Sequence, residues 1–267
     1  MRLPGPEFVA LLQQQTGEVT NIRPSEAGNS SDVTALVECE KGPFFVKAFR
    51  NRPGGRRDSL IREESINPHV VPLSPTVLWR VEDEAWLAIG FEVIEGRPAD
   101  FTPDSRDLPA VIDLLNRIGG LPLPEVARDW PETRWDRFTA GNAEAAMFQG
   151  DSLLHTDINQ SNLIIGAGRT WVVDWSWPTR GAAFIDAALL VFQLIAAGHT
   201  ALAAETLAAG CVAWADADPR AIDAFAAANL RMYRRRADRY PNESWLEAMV
   251  AAGRRWTEHR GVVAQGH

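Results

Sequence analysis

Residues 153–177 read LLHTDINQSNLIIGAGRTWVVDWSW, and this stretch holds the pattern that decides the fold. Two short apolar runs, NLII and WVVD, flank a turn-like segment at residues 166–169, which predicts a β-hairpin. If the hairpin is symmetric about its second glycine, Asn162 lies directly opposite Asp174, with Cβ atoms about 5 Å apart. An amide oxygen and a carboxylate at that distance suit a shared Mg²⁺ ion. The stretch therefore predicts a metal site at the base of the hairpin.

A further carboxylate, Asp157, lies in the polar loop five residues before Asn162. Phosphoryl transfer needs one carboxylate that orients an attacking hydroxyl and accepts its proton, and oxygen ligands that hold Mg²⁺ on the phosphates. Each of these residues alone is more simply explained as an ordinary turn former. Their joint spacing is what favours a catalytic site.

The run His155-Thr156-Asp157, followed by Asn162 and by the VVDW segment that contains Asp174, resembles the motifs of a known family. It is similar to the aminoglycoside phosphotransferase and choline kinase-like family, which shares the protein-kinase fold. The interval from Asp157 to Asn162 is that of the kinase pattern H-R-D-x-x-x-x-N. The resemblance implies that Asp157 is the catalytic base, that Asn162 and Asp174 bind Mg²⁺, and that His155 is structural.

Gly181 and Asp186 match the glycine and the buried aspartate that follow in this family. A carboxylate in the apolar run AAFIDAALLVF is costly unless it is hydrogen-bonded, so we expect Asp186 to anchor the catalytic loop rather than to catalyse. Two departures stand out. Thr156 occupies a position where the family usually has glycine, and Ser176 lies where a second acid is common. The second departure leaves the number of metal ions open.

The composition changes near residue 96 from strand-rich to helical, which predicts an α+β, two-lobed, protein-kinase-like fold. We expect residues 1–96 to form a small nucleotide-binding lobe with one helix. Residues 97–267 are expected to carry the catalytic loop, the metal site and the acceptor-binding helices. The predicted strands are 32–38, 43–49, 76–81 and 84–93, and the predicted helices are 58–67 (stopped by Pro68), 109–118, several within 183–237, and 245–259.

Lys47 is one of only two lysines in a chain with 27 basic residues. Strand alternation in PFFVKAF places its side chain on the face of Phe45 and Phe49, where an ammonium is poorly solvated and needs an anion. The simpler alternative is an edge-strand lysine that reaches to solvent. By resemblance, Lys47 grips the α- and β-phosphates and pairs with a helix glutamate, for which Glu63 is preferred and Glu64 stays open.

Two other segments are candidate nucleotide contacts by their position in the resemblance. Asn29, Ser30 and Ser31 lie where a phosphate-covering loop is expected, and their backbone N–H groups are the candidate donors. Backbone groups near Glu92 and Ile94 lie where the inter-lobe hinge would bind adenine. The run 27–32, to which the first three residues belong, contains one glycine and is equally compatible with a plain turn.

The remaining composition excludes several classes of function. The net charge of −8 argues against a nucleic-acid partner, and no apolar stretch is long enough to predict a membrane span. Two distant cysteines favour a reducing compartment, so a cytoplasmic location is expected.

These patterns predict an ATP- and Mg²⁺-dependent phosphotransferase that acts on a hydroxyl of a small molecule, such as an aminoglycoside, amino alcohol or sugar-like compound. A catalytically silent nucleotide-binding protein is the first alternative. A protein kinase is the second, although only eleven residues separate Asp174 from Asp186 and leave no room for a long activation segment. Three aspartates at positions 100, 104 and 107 either contact a cationic acceptor or form a solvated loop.

Overall fold

The computed structural model describes residues 5–25 and 31–262. The chain divides into two compact units, one formed by Met1–Arg97 with Gly166–Trp177 and the other by Pro98–Ile165 with Pro178–His267. Residues 166–177 thus belong to the first unit, whereas they were expected in the second part of the chain.

The helices and strands follow one another in an α+β order, strand-rich first and helical later, which confirms the predicted fold class. In chain order they are α1 (Pro6–Thr16), β1 (Val19–Pro24), β2 (Val33–Cys39), β3 (Phe44–Arg50), α2 (Gly55–Val70), β4 (Val77–Glu82), β5 (Trp86–Phe91), β6 (Arg97–Pro98), α3 (Leu108–Gly119), α4 (Asn142–Ala146), β7 (Ser152–Leu154), β8 (Leu163–Gly166), β9 (Arg169–Val172), β10 (Thr179–Gly181), α5 (Ile185–Ala196), α6 (Ala201–Ala208), α7 (Val212–Ala215), α8 (Pro219–Arg239) and α9 (Ser244–His259).

The first unit is built on a five-stranded antiparallel sheet with the order β1-β2-β3-β5-β4. Strand β3 is central, and Lys47 lies opposite Thr34 of β2 and Ile89 of β5. Alternation along β3 gives its two faces different partners, as the period of a strand requires. Phe49 belongs to an apolar cluster with Leu60 of α2, so the Lys47 face is the one that α2 covers.

The opposite face of the sheet is covered by α1, a helix that the sequence analysis did not predict. Phe8, Leu11 and Leu12 are buried and pack on the sheet at the i, i+3 and i+4 spacing of one helix face. The expectation of a single helix in this part of the chain is therefore wrong, and strand β1 was also missed. The apolar run is short and begins at a proline, which is a favourable first helical residue.

Helix α2 is longer than predicted at both ends, beginning at Gly55 and continuing through Pro68 to Val70. Proline removes one backbone donor, but at this position it affects only the last turn. The Asn67 side chain holds that turn in place, because its amide donates to the Pro75 carbonyl at 2.7 Å and accepts the Val77 N–H at 2.8 Å.

The segment 166–177 is attached to the first unit by backbone contacts. Val172 donates its N–H to the Leu73 carbonyl at 2.8 Å. Strand β8 begins after Asn162 and β9 ends before Asp174, so neither residue lies in a strand. Asn162 and Asp174 therefore cannot be treated as a cross-strand pair of this hairpin. Their joint role in binding a metal stays a prediction.

The second unit is mainly helical, as predicted for residues 183–237 and 245–259. Strand β7 pairs with β10 in a small antiparallel sheet, with Leu154 opposite Thr179. Close packing fixes Gly181 at the end of β10, where an added Cβ would lie 2.8 Å from Leu154 and 3.1 Å from Glu132. Phe225 of α8 centres the aromatic core, with ring contacts to Trp135, Phe148 and Phe184. Within residues 5–25 and 31–262, no helix has the length and hydropathy of a membrane span.

Candidate functional site

Lys47 lies in a buried ion cluster in the first unit. Its ammonium contacts both Glu63 carboxylate oxygens, at 2.7 and 3.0 Å, and Asp174 Oδ1 at 2.9 Å. Lys47 and Glu63 are 7% and 3% exposed. Strand β3 and helix α2 bring these two side chains together, and the segment after β9 adds Asp174. The simpler alternative of an edge-strand lysine does not fit, because β3 is the central strand.

Two carboxyl groups, those of Glu63 and Asp174, contact the single ammonium of this cluster. Burial opposes the charge of Lys47, but the carboxylates of Glu63 and Asp174 outweigh it and hold the pKa of the lysine above its ordinary value. Burial also raises the pKa of Glu63, against the opposite effect of Lys47. The lysine is therefore held in its charged form, while burial disfavours the charge of its glutamate partner.

The choice between the two glutamates is clear in the structure. Glu63 contacts Lys47, whereas Glu64 lies on another face of α2 and forms an ion pair with Arg80 at 2.9 Å. Successive helical residues point about 100° apart, so only one of the two can face the sheet.

Asp174 follows β9 in a left-handed backbone conformation, with φ of 66°. Aspartate tolerates this region better than most residues. The Ser176 hydroxyl donates to Asp174 Oδ1, the oxygen that also accepts from Lys47. Ser176, which occupies the position where a second acid was expected from the resemblance, thus supports the one carboxylate present.

The loop of the second unit presents Asp157 to solvent while its neighbours are buried. Asp157 is exposed, whereas His155, Thr156 and Ile158 are buried. Asn162 holds the aspartate from inside the loop, since its Nδ2 donates to the Asp157 carbonyl at 2.9 Å and to its carboxylate at 3.0 Å. A carboxylate fixed in this way and open on one side is suited to accept a proton from a bound hydroxyl.

His155 and Asp186 both hydrogen-bond to the backbone of this loop, and their supporting role stays a prediction. Asp186 is buried at the start of α5, and its two oxygens accept the N–H groups of His155 and Thr156, each at 2.8 Å. Burial raises the pKa of Asp186, while nearby His155 and the two N–H donors act in the opposite direction. His155 Nδ1 accepts the Asp157 N–H at 3.2 Å.

Arg134 contacts this loop from another part of the chain, and the sequence did not predict its role. Its two terminal nitrogens donate to the Thr156 carbonyl at 2.7 Å and to the Thr156 hydroxyl at 2.9 Å. Thr156 itself has a φ of 65°. The only sequence signal was the unusual threonine at a position where the resemblance predicts glycine.

The candidate adenine and phosphate contacts are partly visible. Glu92 donates its N–H to the Thr76 carbonyl and accepts the Thr76 N–H and hydroxyl on its side chain. Among the described residues the Ile94 N–H has no hydrogen-bond partner, so it is available to a ligand. Ser31 precedes β2, whereas Asn29 and Ser30 lie outside the described residues.

The acidic loop at residues 100–107 is largely occupied by its own hydrogen bonds. Asp107 is buried and accepts the Asp100 N–H, and Asp100 accepts both the N–H and the hydroxyl of Thr102. These hydrogen bonds favour the alternative of a solvated loop over a surface that binds a cationic acceptor.

Mg²⁺ fits the donors that these residues offer. No group of three or more histidine, cysteine, aspartate or glutamate side chains arranged for a metal occurs in the described part of the chain. The side chains of Asn162 and Asp174 each carry an oxygen of the kind that binds Mg²⁺. Among the described residues Asn162 Oδ1 accepts no hydrogen bond, because its amide nitrogen is the group turned toward Asp157. Asn162 and Asp174 belong to different units.

The predicted site residues thus fall into two clusters. In the first unit, Glu63 and Asp174 both contact Lys47. In the second unit, His155, Asp157 and Asn162 lie in one loop, which Asp186 anchors.

No protein-family model and no curated protein sequence matches the chain. Solved structures do match it over almost its whole length. An amicoumacin kinase in complex with AMP-PNP, Ca²⁺ and Ami has a TM-score of 0.64 at 10% identity, over 99% of this chain and 96% of that one. The choline kinase of Streptococcus pneumoniae has a TM-score of 0.61 at 11% identity, over 96% of each chain.

A GDP complex of aminoglycoside 2′-phosphotransferase-IIIa has a TM-score of 0.61 at 11% identity, over 95% of this chain and 98% of that one. Identities this low show the fold alone. At that level the resemblance inferred from the HTD and VVDW motifs is confirmed: the chain has the kinase-like fold of these phosphotransferases.

Proposed function

We propose that this chain is a phosphotransferase that moves the γ-phosphoryl group of ATP, or of another nucleoside triphosphate, to a hydroxyl of a small molecule. The observation that carries the proposal is the buried contact of Lys47 with Glu63 and Asp174. A lysine in a central apolar strand is costly to bury, and the chain uses lysine at only one other position. A compact ammonium that binds phosphate oxygens explains why it is retained.

In this proposal the first unit binds the nucleotide. Lys47 contacts the α- and β-phosphates, and Glu63 fixes the orientation of the lysine. The Ile94 N–H and the carbonyl of Glu92 bind the adenine edge, and the N–H of Ser31 is a candidate phosphate donor. These proposed adenine and phosphate contacts place few demands on side chains, since backbone groups supply the hydrogen-bond donors and acceptors.

The second unit supplies the base. The acceptor hydroxyl oxygen forms a bond to the γ-phosphorus while the bond from that phosphorus to the β–γ bridging oxygen breaks. The Asp157 carboxylate takes the hydroxyl proton, and the nucleoside diphosphate leaves with the electron pair of the broken bond. Asn162 keeps the carboxylate oriented, and the anchor Asp186 keeps the loop in place.

Asp174 and Asn162 would hold Mg²⁺ in this scheme. When bound, the ion would neutralise charge on the phosphates. The solved neighbours include complexes with GDP and with AMP-PNP and Ca²⁺, which supports the use of a nucleotide and a divalent cation.

The acceptor is proposed to be a small molecule rather than a protein. The neighbours are named as a choline kinase, an amicoumacin kinase and an aminoglycoside 2′-phosphotransferase, and each of these names contains that of a small molecule. The eleven residues between Asp174 and Asp186 support the same choice, because they leave no long segment for docking a peptide. We place the protein in the cytoplasm, where ATP is available.

Calorimetry with AMP-PNP tests the nucleotide part of the proposal. We expect Mg²⁺-dependent binding in the wild-type chain and a large loss in Lys47→Ala and in Lys47→Arg. The matched control is Lys41→Ala, because Lys41 is exposed and its ammonium donates to the Gln15 carbonyl, away from the Lys47 cluster. Equal affinity with and without Mg²⁺, or in Lys47→Ala, would contradict the assignment.

A panel of aminoglycosides, amino alcohols and sugars, assayed for ADP release, tests the transfer part. Release that depends on one acceptor class supports the proposal and identifies the substrate. Tight nucleotide binding with no release from any acceptor would favour a catalytically silent nucleotide-binding protein instead.

A further inference from the structure

Thr156 adopts a backbone conformation that its side chain disfavours. Its φ is 65°, in the left-handed region, and threonine is β-branched. Two other described non-glycine residues have a positive φ, Asp104 and Asp174, but aspartate is among the residues that tolerate this region. A β-branched residue there is a true outlier, and it persists only where its surroundings hold it.

Every polar group of Thr156 is bound by a residue distant in sequence. Its N–H donates to Asp186 Oδ1 at 2.8 Å. Its carbonyl and hydroxyl both accept from Arg134, at 2.7 and 2.9 Å. Since Thr156 is only 2% exposed, these bonds form away from competing water. The guanidinium thus contacts the threonine at two points, which fixes both its backbone and its side chain.

Arg134 is itself held by a network that does not include the loop. Its N–H donates to Glu132 Oε1 at 2.6 Å, and Glu132 is 1% exposed. The other Glu132 oxygen accepts from the Thr179 hydroxyl at 2.9 Å, and the Gln149 side chain donates to the Glu132 carbonyl at 3.0 Å. The backbone of Arg134 is therefore held in place independently of the contacts that its side chain makes with the loop.

The position of the Arg134 side chain is not explained by an ion pair with a described residue. Among the described residues it forms no salt bridge, and both terminal nitrogens donate to Thr156. Its guanidinium also lies 5.1 Å from the centre of the Trp135 ring. The planar group with two parallel donors is what binds a carbonyl and a hydroxyl at once, and a lysine could not replace it.

We propose that Arg134 is a positioning residue, which clamps Thr156 in its left-handed conformation and thereby sets the direction of the next residue, Asp157. Glycine adopts this conformation at no steric cost, whereas threonine needs a partner that offsets it. The clamp is a property of the fold, and its effect on rate rests on the proposed role of Asp157 as the base.

Amide hydrogen exchange tests the clamp without any substrate. In Arg134→Ala we expect the N–H groups of Thr156 and Asp157 to exchange at least about tenfold faster, because the loop opens more readily. Adding Thr156→Gly to this variant should restore most of the protection, since glycine needs no clamp. Arg137→Ala is the matched control, because Arg137 is exposed and contacts the Phe138 ring but not the loop.

Turnover with the acceptor found in the panel tests the consequence. Arg134→Ala should lower kcat by about 10- to 100-fold through a misplaced base, with the KM for ATP nearly unchanged. The Arg134→Ala/Thr156→Gly double variant should recover most of that loss. If Arg134→Ala does not fold, Arg134→Lys replaces it, because a single ammonium cannot make both contacts.

The outcomes separate the clamp from the proposed function. A double variant as slow and as unprotected as Arg134→Ala, or an Arg134→Ala that behaves as wild type, would overturn the clamp. Rescued exchange without any transfer activity in the wild-type chain would leave the clamp standing and overturn the phosphotransferase proposal.

Discussion

Asp186 anchors the loop of the second unit, because both of its carboxylate oxygens accept backbone N–H groups. Asp186→Ala removes the acceptor of two buried N–H groups, and each stranded donor costs about 1–3 kcal/mol. We therefore expect a markedly lower melting temperature, and weaker activity through a displaced Asp157. Asp113→Ala, on the exposed side of α3, serves as the control.

The same variant distinguishes an anchor from a metal ligand. Thermal melting and Mg²⁺-nucleotide affinity are measured together. An unchanged melting temperature combined with lost Mg²⁺-nucleotide binding would show that Asp186 binds the ion, contrary to the position of its two oxygens on the loop backbone.

At the residue scale, the sequence was most informative where a charged residue lies in an apolar segment. A lysine between phenylalanines and an aspartate in an alanine-rich run both lie in the contacts expected of them, with Glu63 and with the loop backbone. Arg134 could not be predicted in the same way. It lies 22 residues before its partner, among other arginines, and only the fold brings it to Thr156.

At the scale of helices and strands, the contact between β4 and β5 allows a specific prediction about stability. The Trp79 indole lies across Gly90, where an added Cβ would be 2.1 Å from the ring. Gly90→Ala should therefore lower the free energy of unfolding by about 1–3 kcal/mol or more, because the indole has to move from its place against Phe44.

Denaturant unfolding measures this loss, with Gly119→Ala as the control at the end of α3, where an added Cβ meets no atom within 4 Å. A Gly90→Ala variant as stable as wild type would mean that the indole does not occupy this position in solution.

Elements with a strict period were predictable, and their ends were not. Strands β2 to β5 follow from alternation, and α3, α8 and α9 follow from apolar spacing. Pro68 was wrongly taken as the end of α2, because the Asn67 side chain supplies bonds that the sequence does not show. The strand ends beside Asn162 and Asp174 were misplaced by a residue or two, since turn geometry rather than hydropathy decides them.

The whole molecule determines which of the two cysteines reacts. Burial raises the pKa of the Cys211 thiol to about 11, and the residue is 2% exposed. At pH 8 only about one thousandth of it is then thiolate, the reactive form. Cys39 is partly exposed and donates its thiol to the Gly42 carbonyl.

We therefore expect iodoacetamide to modify Cys39 in the folded chain and Cys211 only after unfolding. Peptide mass spectrometry before and after denaturant distinguishes the two. Equal labelling of both residues in the native chain would show that the core around Cys211 opens far more often than its burial indicates.

The central claim about the whole molecule is that Asp157 accepts the proton of an acceptor hydroxyl during phosphoryl transfer. The most direct test is Asp157→Asn, assayed for the phosphorylated acceptor by mass spectrometry and for nucleotide affinity by calorimetry. The amide is isosteric and can still meet Asn162 after reorientation, so the chain should fold and bind Mg²⁺-nucleotide as the wild type does. We predict that transfer falls by about 10²–10⁴-fold, the usual cost of losing a general base. Transfer at near wild-type rate in this variant would contradict the account.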